Sequence, residues 1–174
     1  MVKSEERKIP LKNYILLGVV IIVSLFLLYY FYLWYMAYEE SKLSKPIMDR
    51  YMQVINYNEM DSYIAENKKA IVYVSVLENE EIRNFEIKFN KAINELGFKN
   101  KMLYLDLTYI TYDPVTYNEA VSKYSVNGKN IANYPCVMLF LEGKLVEIYD
   151  LKANDYNIEN LTLYLEDKGI DTND

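Results

Sequence analysis

The sequence of 174 residues contains no histidine and a single cysteine, Cys136. Without histidine, the chain lacks the side chain that most often serves as a general base near neutral pH and as a metal ligand. One cysteine excludes an intramolecular disulfide, a cysteine-rich zinc site and dithiol redox chemistry within the chain. The net charge of −6 argues against a nucleic acid partner, because phosphate contacts need a basic surface. We therefore expect no cofactor, no metal and no nucleic acid.

Charge is also absent from one long stretch, since no charged residue lies between Lys12 and Glu39. At a rise of ~1.5 Å per residue, the apolar segment 14–37 is long enough to cross a hydrocarbon layer of ~30 Å as one helix. A signal peptide would have an apolar run of only about 7–15 residues before a small-x-small cleavage site. Here the bulky Tyr35 stands where a small residue is needed. The sequence predicts an uncleaved single-pass helix whose partner is the lipid bilayer.

The residues at the two ends of this segment predict its orientation. Aromatic rings, which favour the headgroup zone, crowd its C-terminal end. They are Tyr29, Tyr30, Phe31, Tyr32, Trp34 and Tyr35. The flanking basic residues are Lys3, Arg7, Lys8 and Lys12 before the segment, and Lys42 and Lys45 after it. This excess predicts that residues 1–13 are cytoplasmic and that the C-terminal part lies outside the cell membrane.

The chain after the apolar segment alternates between strand and helix patterns. Residues 38–52 are expected to form a polar stalk, Glu39 to Lys45, and a short helix that starts at Pro46. The predicted strands are Gln53–Ile55, Ala70–Val76, Met102–Leu107, Cys136–Leu141 and Lys144–Tyr149. The predicted helices begin at Asn58, near Ile82, at Pro114 and after Asn157. This order predicts one α/β domain over 53–169, with a mixed sheet between helices and a short tail, 170–174.

A proline stands directly before the predicted hairpin, in Tyr134-Pro135, and Glu142-Gly143 joins its two strands. This unit, together with the buried run 71–76 before a long helix and with 104–106, resembles the thioredoxin-like fold. More narrowly, the chain resembles the membrane-anchored, thioredoxin-like bacteriocin-transport accessory proteins of Gram-positive bacteria. The resemblance covers about residues 53–169. It implies a three-layer fold with a mixed central sheet, a cis bond at Pro135, and a binding groove beside Tyr134 and Pro135.

The resemblance fails at the redox motif. Active thioredoxins carry C-x-x-C between the buried strand and the next helix, where the helix N-terminus stabilises a thiolate. In this sequence that position holds Asn79, Glu80, Glu81 and Ile82, and an alignment shifted by about one residue brings in no cysteine either. Acidic side chains suit the start of a helix, so capping is the simplest interpretation of these residues.

Three groups of residues are candidates for chemistry or binding. Cys136 could form a mixed disulfide with a partner. It lies in an apolar strand with no adjacent Lys, Arg or His, which favours a structural role in the core. The carboxylates could form an acid/base or metal site, or only a solvated helix start. They are Glu78, Glu80, Glu81 and Asp106. The tyrosines expected near the proline could form a binding surface, or reflect compositional bias. They are Tyr109, Tyr112, Tyr117 and Tyr134.

The combined features predict a membrane-anchored, extracytoplasmic, thioredoxin-like protein that lacks the redox dithiol. We expect a non-catalytic binding or accessory module, for example in the export or handling of a peptide or protein. The groove beside Tyr134-Pro135 would accept an extended peptide through backbone pairing. Two alternatives remain open: a monothiol redox partner acting through Cys136, and an immunity-type or structural membrane adapter.

Overall fold

The computed structural model describes residues 10–43, 45–77, 79–99 and 101–169. The chain divides into two units between Lys42 and Leu43, and each unit is described by itself. Residues 1–9 of the predicted cytoplasmic segment, Glu78 of the acidic group and the tail 170–174 lie outside the described residues.

The first unit is an apolar helix, α1 (Leu11–Leu43). It is long and apolar enough to cross a membrane. Its most apolar part has a mean hydropathy of 2.5, and none of that part is buried within the protein. By length and composition alone, a signal sequence near an N-terminus would meet the same description. The helix extends past the predicted span 14–37 into the expected stalk. There Lys42 pairs with Glu39 one turn away, at 3.0 Å between Nζ and Oε1, a spacing that favours helix.

The second unit alternates strands and helices much as the sequence predicts. The strands are β1 (Gln53–Val54), β2 (Lys69–Ser75), β3 (Leu103–Asp106), β4 (Ser125–Val126), β5 (Lys129–Asn130), β6 (Cys136–Leu141) and β7 (Lys144–Asp150). The helices are α2 (Tyr57–Glu66), α3 (Glu80–Glu95), α4 (Thr108–Thr111), α5 (Pro114–Lys123) and α6 (Ile158–Asp167). The helix expected after Pro46 is only a 3-10 turn, Met48–Arg50.

Over the described residues, five of these strands form one mixed sheet in the order β1-β3-β2-β6-β7. Strands β1, β3 and β2 are parallel, whereas β6 runs antiparallel to both β2 and β7. The register pairs Ser75 with Asp106, Val74 with Cys136, and Cys136 with Asp150. Four chain segments therefore meet at the same end of the sheet. They are the segments after β2, β3 and β7 and the segment before β6.

Two hydrophobic clusters cover the two faces of the sheet. One packs α3 and α6 against the sheet through Phe89 and Leu161, and the other packs α2 and α5 through Met60 and Ala120. Alternate residues of β2 enter opposite clusters, so six of its seven residues are buried. This explains why its sequence is continuously apolar rather than alternating. The architecture is the predicted three-layer, thioredoxin-like α/β fold.

Three local features differ from the sequence predictions. Helix α2 is capped by Asn56 and not by Asn58, because Glu59 accepts hydrogen bonds from both the backbone and the side chain of Asn56. Helix α4 and the β4–β5 hairpin were not predicted. The hairpin turns at Asn127-Gly128, where φ is +52° and +76°. Asn-Gly is a strong signal for such a turn, so this element was predictable.

Candidate functional site

The residues that replace C-x-x-C start helix α3. Asn79 is the N-cap residue, and its Oδ1 accepts a hydrogen bond from the backbone N–H of Ile82 at 3.0 Å. Glu80 and Glu81 occupy the exposed first turn, while Ile82 is buried in the core. Acidic residues in a first turn interact favourably with the helix dipole. The structure therefore supports capping, and these four side chains cannot exchange disulfides.

The Tyr134–Pro135 peptide bond is cis. Pro135 is buried, and its carbonyl accepts a hydrogen bond from the N–H of Leu151 at 3.2 Å. Among the hydrogen bonds of the described residues, none uses the backbone N–H or C=O of Tyr134. The Tyr134 ring is half-buried. Burial and then the Tyr134 phenol raise the pKa of Tyr117. The backbone N–H and C=O of Tyr134 thus make no hydrogen bond within the described part of the chain.

Two adjoining cavities lie beside this peptide bond and the start of α3. A cavity of 290 Å³ is lined by Asn79, Glu81, Ile82, Ala132, Asn133, Tyr134, Asp150, Lys152 and Tyr156. A cavity of 760 Å³ is lined by Asn79, Glu80, Glu81, Asn84, Phe85, Lys88, Asp155 and Tyr156. Since Asn79, Glu81 and Tyr156 line both, the cavities adjoin, and together they are here called the α3 groove. Its walls come from three separate chain segments.

The loop after β7 is built on Asp150, which is 9% exposed. One carboxylate oxygen, Oδ1, accepts the N–H of Ala153 at 2.9 Å, and the other, Oδ2, accepts Nδ2 of Asn133 at 3.0 Å. The second bond ties this loop to the segment before the cis bond. Asp150 therefore holds two walls of the α3 groove together.

Tyr156 projects from the same loop with an unusual backbone. Asp155 and Tyr156 both have φ of +53°, a conformation that costs a non-glycine residue roughly 1–3 kcal/mol. The N–H of Tyr156 donates to the carbonyl of Leu151 at 2.9 Å, and its ring lies 5.7 Å from the ring of Phe85. Burial raises the pKa of Tyr156, and the Glu81 carboxylate raises it further. These contacts fix the ring between the two cavities.

One buried carboxylate, that of Glu86 on α3, was not predicted from the sequence. Glu86 is 3% exposed, and its Oε1 accepts hydrogen bonds from Ser75 Oγ at 2.6 Å and Tyr73 Oη at 3.0 Å. Burial raises the pKa of Glu86, although the two hydroxyl groups lower it. The signal was present, because Glu86 lies four residues after Ile82 and so falls within the apolar stripe of α3.

The other candidate residues from the sequence, Cys136 and Asp106, lie in different structural environments. Cys136 is fully buried on strand β6, and burial, reinforced by Asp150, raises the pKa of its thiol. A buried thiol with a raised pKa supplies little thiolate for exchange, which supports the structural role. Asp106 accepts hydrogen bonds from the N–H of Thr108 at 2.9 Å and from its Oγ1 at 2.6 Å, so it organises the start of α4. Across the described ranges, no group of three acidic or cysteine side chains is arranged to hold a metal ion.

The tyrosines divide into two sets. Tyr109 and Tyr112 are 79% and 67% exposed on and just after α4, whereas Tyr117 and Tyr134 are half-buried. Tyr109 lines a separate cavity of 440 Å³ at the β1 side of the sheet, with Ile110 and Asp113. Of the four, only Tyr134 lines the α3 groove, so the predicted tyrosine surface is not one continuous site there.

No protein-family profile matches the sequence, and no characterised protein matches it in sequence. Seventy-five chains of solved structures match it in structure. The J-Trx1 fragment of ERdj5 is 14% identical with a TM-score of 0.44, covering 67% of this chain and 51% of that one. This chain therefore spans about half of that fragment's length.

Two thioredoxins are covered almost fully. Thioredoxin of Malassezia sympodialis is 12% identical with a TM-score of 0.43, over 67% of this chain and 92% of that one. Oxidised thioredoxin of Plasmodium falciparum is 16% identical with a TM-score of 0.44, over 67% and 97%. The strand order β1-β3-β2-β6-β7, with helices packed on both faces of the sheet, defines the fold independently of these likenesses. The chain is a thioredoxin-fold protein with one cysteine and an apolar N-terminal helix.

Proposed function

We propose that this chain is a membrane-anchored peptide-binding module in which a thioredoxin-like domain works without redox chemistry. The observation that carries the proposal is the unused backbone N–H and C=O of Tyr134, next to the α3 groove. An extended peptide can pair with such backbone groups, while neighbouring cavities accept its side chains. The single cysteine is fully buried, so the binding surface carries no thiol.

The proposed location is the outer face of a cell membrane. Helix α1 would span the bilayer, and the larger number of basic residues before it would keep the N-terminus cytoplasmic. A tethered, non-catalytic module of this kind suits an accessory role in exporting or handling a peptide or protein. The bacteriocin-transport accessory proteins that the sequence resembles are one such class.

The proposal is tested by peptide binding to the full chain in lipid nanodiscs. A library of capped, extended peptides is screened by fluorescence anisotropy, and the best binders are measured again with Tyr134→Ala. We expect affinity to fall by about fivefold or more, because a tyrosine at the centre of an interface commonly contributes over 1 kcal/mol. Tyr63→Ala, which alters a half-buried tyrosine on α2, is the matched control and should leave affinity unchanged.

Two results would contradict the proposal. One is an absence of binding by every peptide, which would favour a structural adapter whose activity lies in its membrane helix. The other is equal affinity for a bound peptide and for its backbone N-methylated version, because N-methylation removes the donors that pairing with the Tyr134 carbonyl requires.

A further inference from the structure

The charge of the α3 groove indicates what kind of peptide it accepts. The 760 Å³ cavity has three carboxylates on its walls, those of Glu80, Glu81 and Asp155, against one ammonium group, that of Lys88. In the part of the chain that the structure describes, none of the ion pairs involves any of these three carboxylates. All three residues are exposed. The walls of this cavity thus carry a net negative charge, and its carboxylates are not tied up in ion pairs among the described residues.

The same cavity has an aromatic wall, the ring of Tyr156, whose position does not depend on a bound ligand. Tyr156 is held by the hydrogen bond from its N–H to Leu151 and by the ring of Phe85, 5.7 Å away. A tyrosine face attracts a cation through its quadrupole, and nearby carboxylates add to that attraction. An aromatic ring beside carboxylates that form no ion pair is a suitable environment for a lysine or arginine side chain. Arginine fits best, because its planar guanidinium both stacks on rings and pairs with carboxylates.

We propose that this cavity receives a lysine or arginine side chain of the bound peptide, so that the partner is a basic, extended peptide. This inference rests on the proposed function, since it assumes that the peptide backbone pairs with Tyr134. The geometry is consistent with both contacts at once, because Tyr134 lines the smaller cavity and Glu81 and Tyr156 line both. Asp150 is a poor partner for the cation, because both of its oxygens already accept hydrogen bonds.

Three probes test the proposal with the full chain in nanodiscs of zwitterionic lipid. Each is a seven-residue peptide, acetylated and amidated, of alternating valine and threonine, with arginine, glutamine or glutamate at the centre. We expect the arginine peptide to bind about tenfold more tightly than the glutamine peptide, and the glutamate peptide most weakly. The preference should shrink as salt is raised, since exposed ion pairs are screened.

The variant Glu80→Gln/Glu81→Gln should remove most of the preference for arginine while binding of the glutamine peptide persists. Glu159→Gln is the matched control, because Glu159 is an exposed carboxylate in the first turn of α6, outside the groove. Tyr156→Leu removes the aromatic face and should also reduce the preference. Circular dichroism spectra and unfolding midpoints show whether each variant is folded.

The outcomes separate this inference from the proposed function. Equal affinity for all three peptides would overturn the basic-peptide inference and leave peptide binding in place. Equal effects of Glu80→Gln/Glu81→Gln and of Glu159→Gln would overturn it too, because the preference would then come from overall charge. No binding by any of the three, nor by the wider library, would overturn both. Self-association that Glu80→Gln/Glu81→Gln abolishes would assign the groove to a second copy of the chain instead.

Discussion

The buried Glu86 provides the most quantitative test of the structure. Its carboxylate is 3% exposed and accepts hydrogen bonds from Ser75 and Tyr73, both of which are fully buried. Glu86→Ala would leave two buried hydroxyl groups without their acceptor, at a cost of about 1–3 kcal/mol each. It would also leave a small cavity beside α3. We expect Glu86→Ala to lower the free energy of unfolding by about 2–5 kcal/mol.

Glu86→Gln should behave in the opposite way at neutral pH. The amide oxygen can still accept both hydrogen bonds, and the neutral side chain avoids the cost of burying a charge. Because burial raises the pKa of Glu86 in the folded protein, the folded state holds this proton more tightly than the unfolded state. The stability that this proton contributes is fully present at pH values below the pKa of Glu86 in the unfolded state. It is lost as the pH rises through the pKa of Glu86 in the folded state. Glu86→Gln should therefore flatten the pH dependence across this window.

The assay is urea unfolding of residues 43–174 between pH 4 and pH 8, followed by far-ultraviolet circular dichroism. Tryptophan fluorescence would not report on this unit, since the one tryptophan of the chain, Trp34, lies in α1. The free energy of unfolding of the unaltered domain minus that of Glu86→Gln should decrease as pH rises. A constant difference, or a Glu86→Gln variant as unstable as Glu86→Ala at pH 7, would refute this account of the buried carboxylate.

Three further predictions concern the cap, the thiol and the membrane helix. Asn79→Ala should lower the unfolding free energy by about 1 kcal/mol in the same urea assay, and Asn79→Asp should leave it nearly unchanged, because aspartate caps helices as well as asparagine does. A loss that Asn79→Asp shares would contradict the capping role. Cys136 should react with a thiol reagent only after denaturation, given its complete burial and raised pKa. Rapid labelling of the native chain would instead support a monothiol redox role for Cys136. Trp34 should be quenched by lipids brominated near the headgroup, since it lies in the aromatic end of α1, and an unquenched signal would place that end outside the bilayer.

The sequence predicted the elements whose pattern is governed by burial. The continuous apolar run of β2 and the spaced stripe of α3 each have one dominant physical cause, the removal of apolar side chains from water. The start of α5 at Pro114 was also predicted, because Asp113 and proline together form a specific local signal. Prediction was weaker where competing caps lay close together, as with Asn56 and Asn58.

The candidate site was only partly predictable, because its walls come from segments far apart in the chain. Asn79 and Tyr134 were identified by their positions before a helix and before a proline. Tyr156 was not, since its importance comes from a positive φ and from a contact with Phe85, neither of which has a sequence pattern. Glu86 was missed for a different reason: a charged residue on an apolar stripe is normally assumed to reach solvent.

On our proposal, peptide binding at the α3 groove does not require a dithiol. The proposed pairing groups are the backbone N–H and C=O of Tyr134, which belong to a different chain segment from the start of α3. At that start, Asn79 uses its side chain to cap the helix. Glu80 and Glu81 then place negative charge where the helix dipole favours it and where it faces the groove. The residues that stand in place of C-x-x-C thus stabilise α3 and, on our proposal, also select a basic partner.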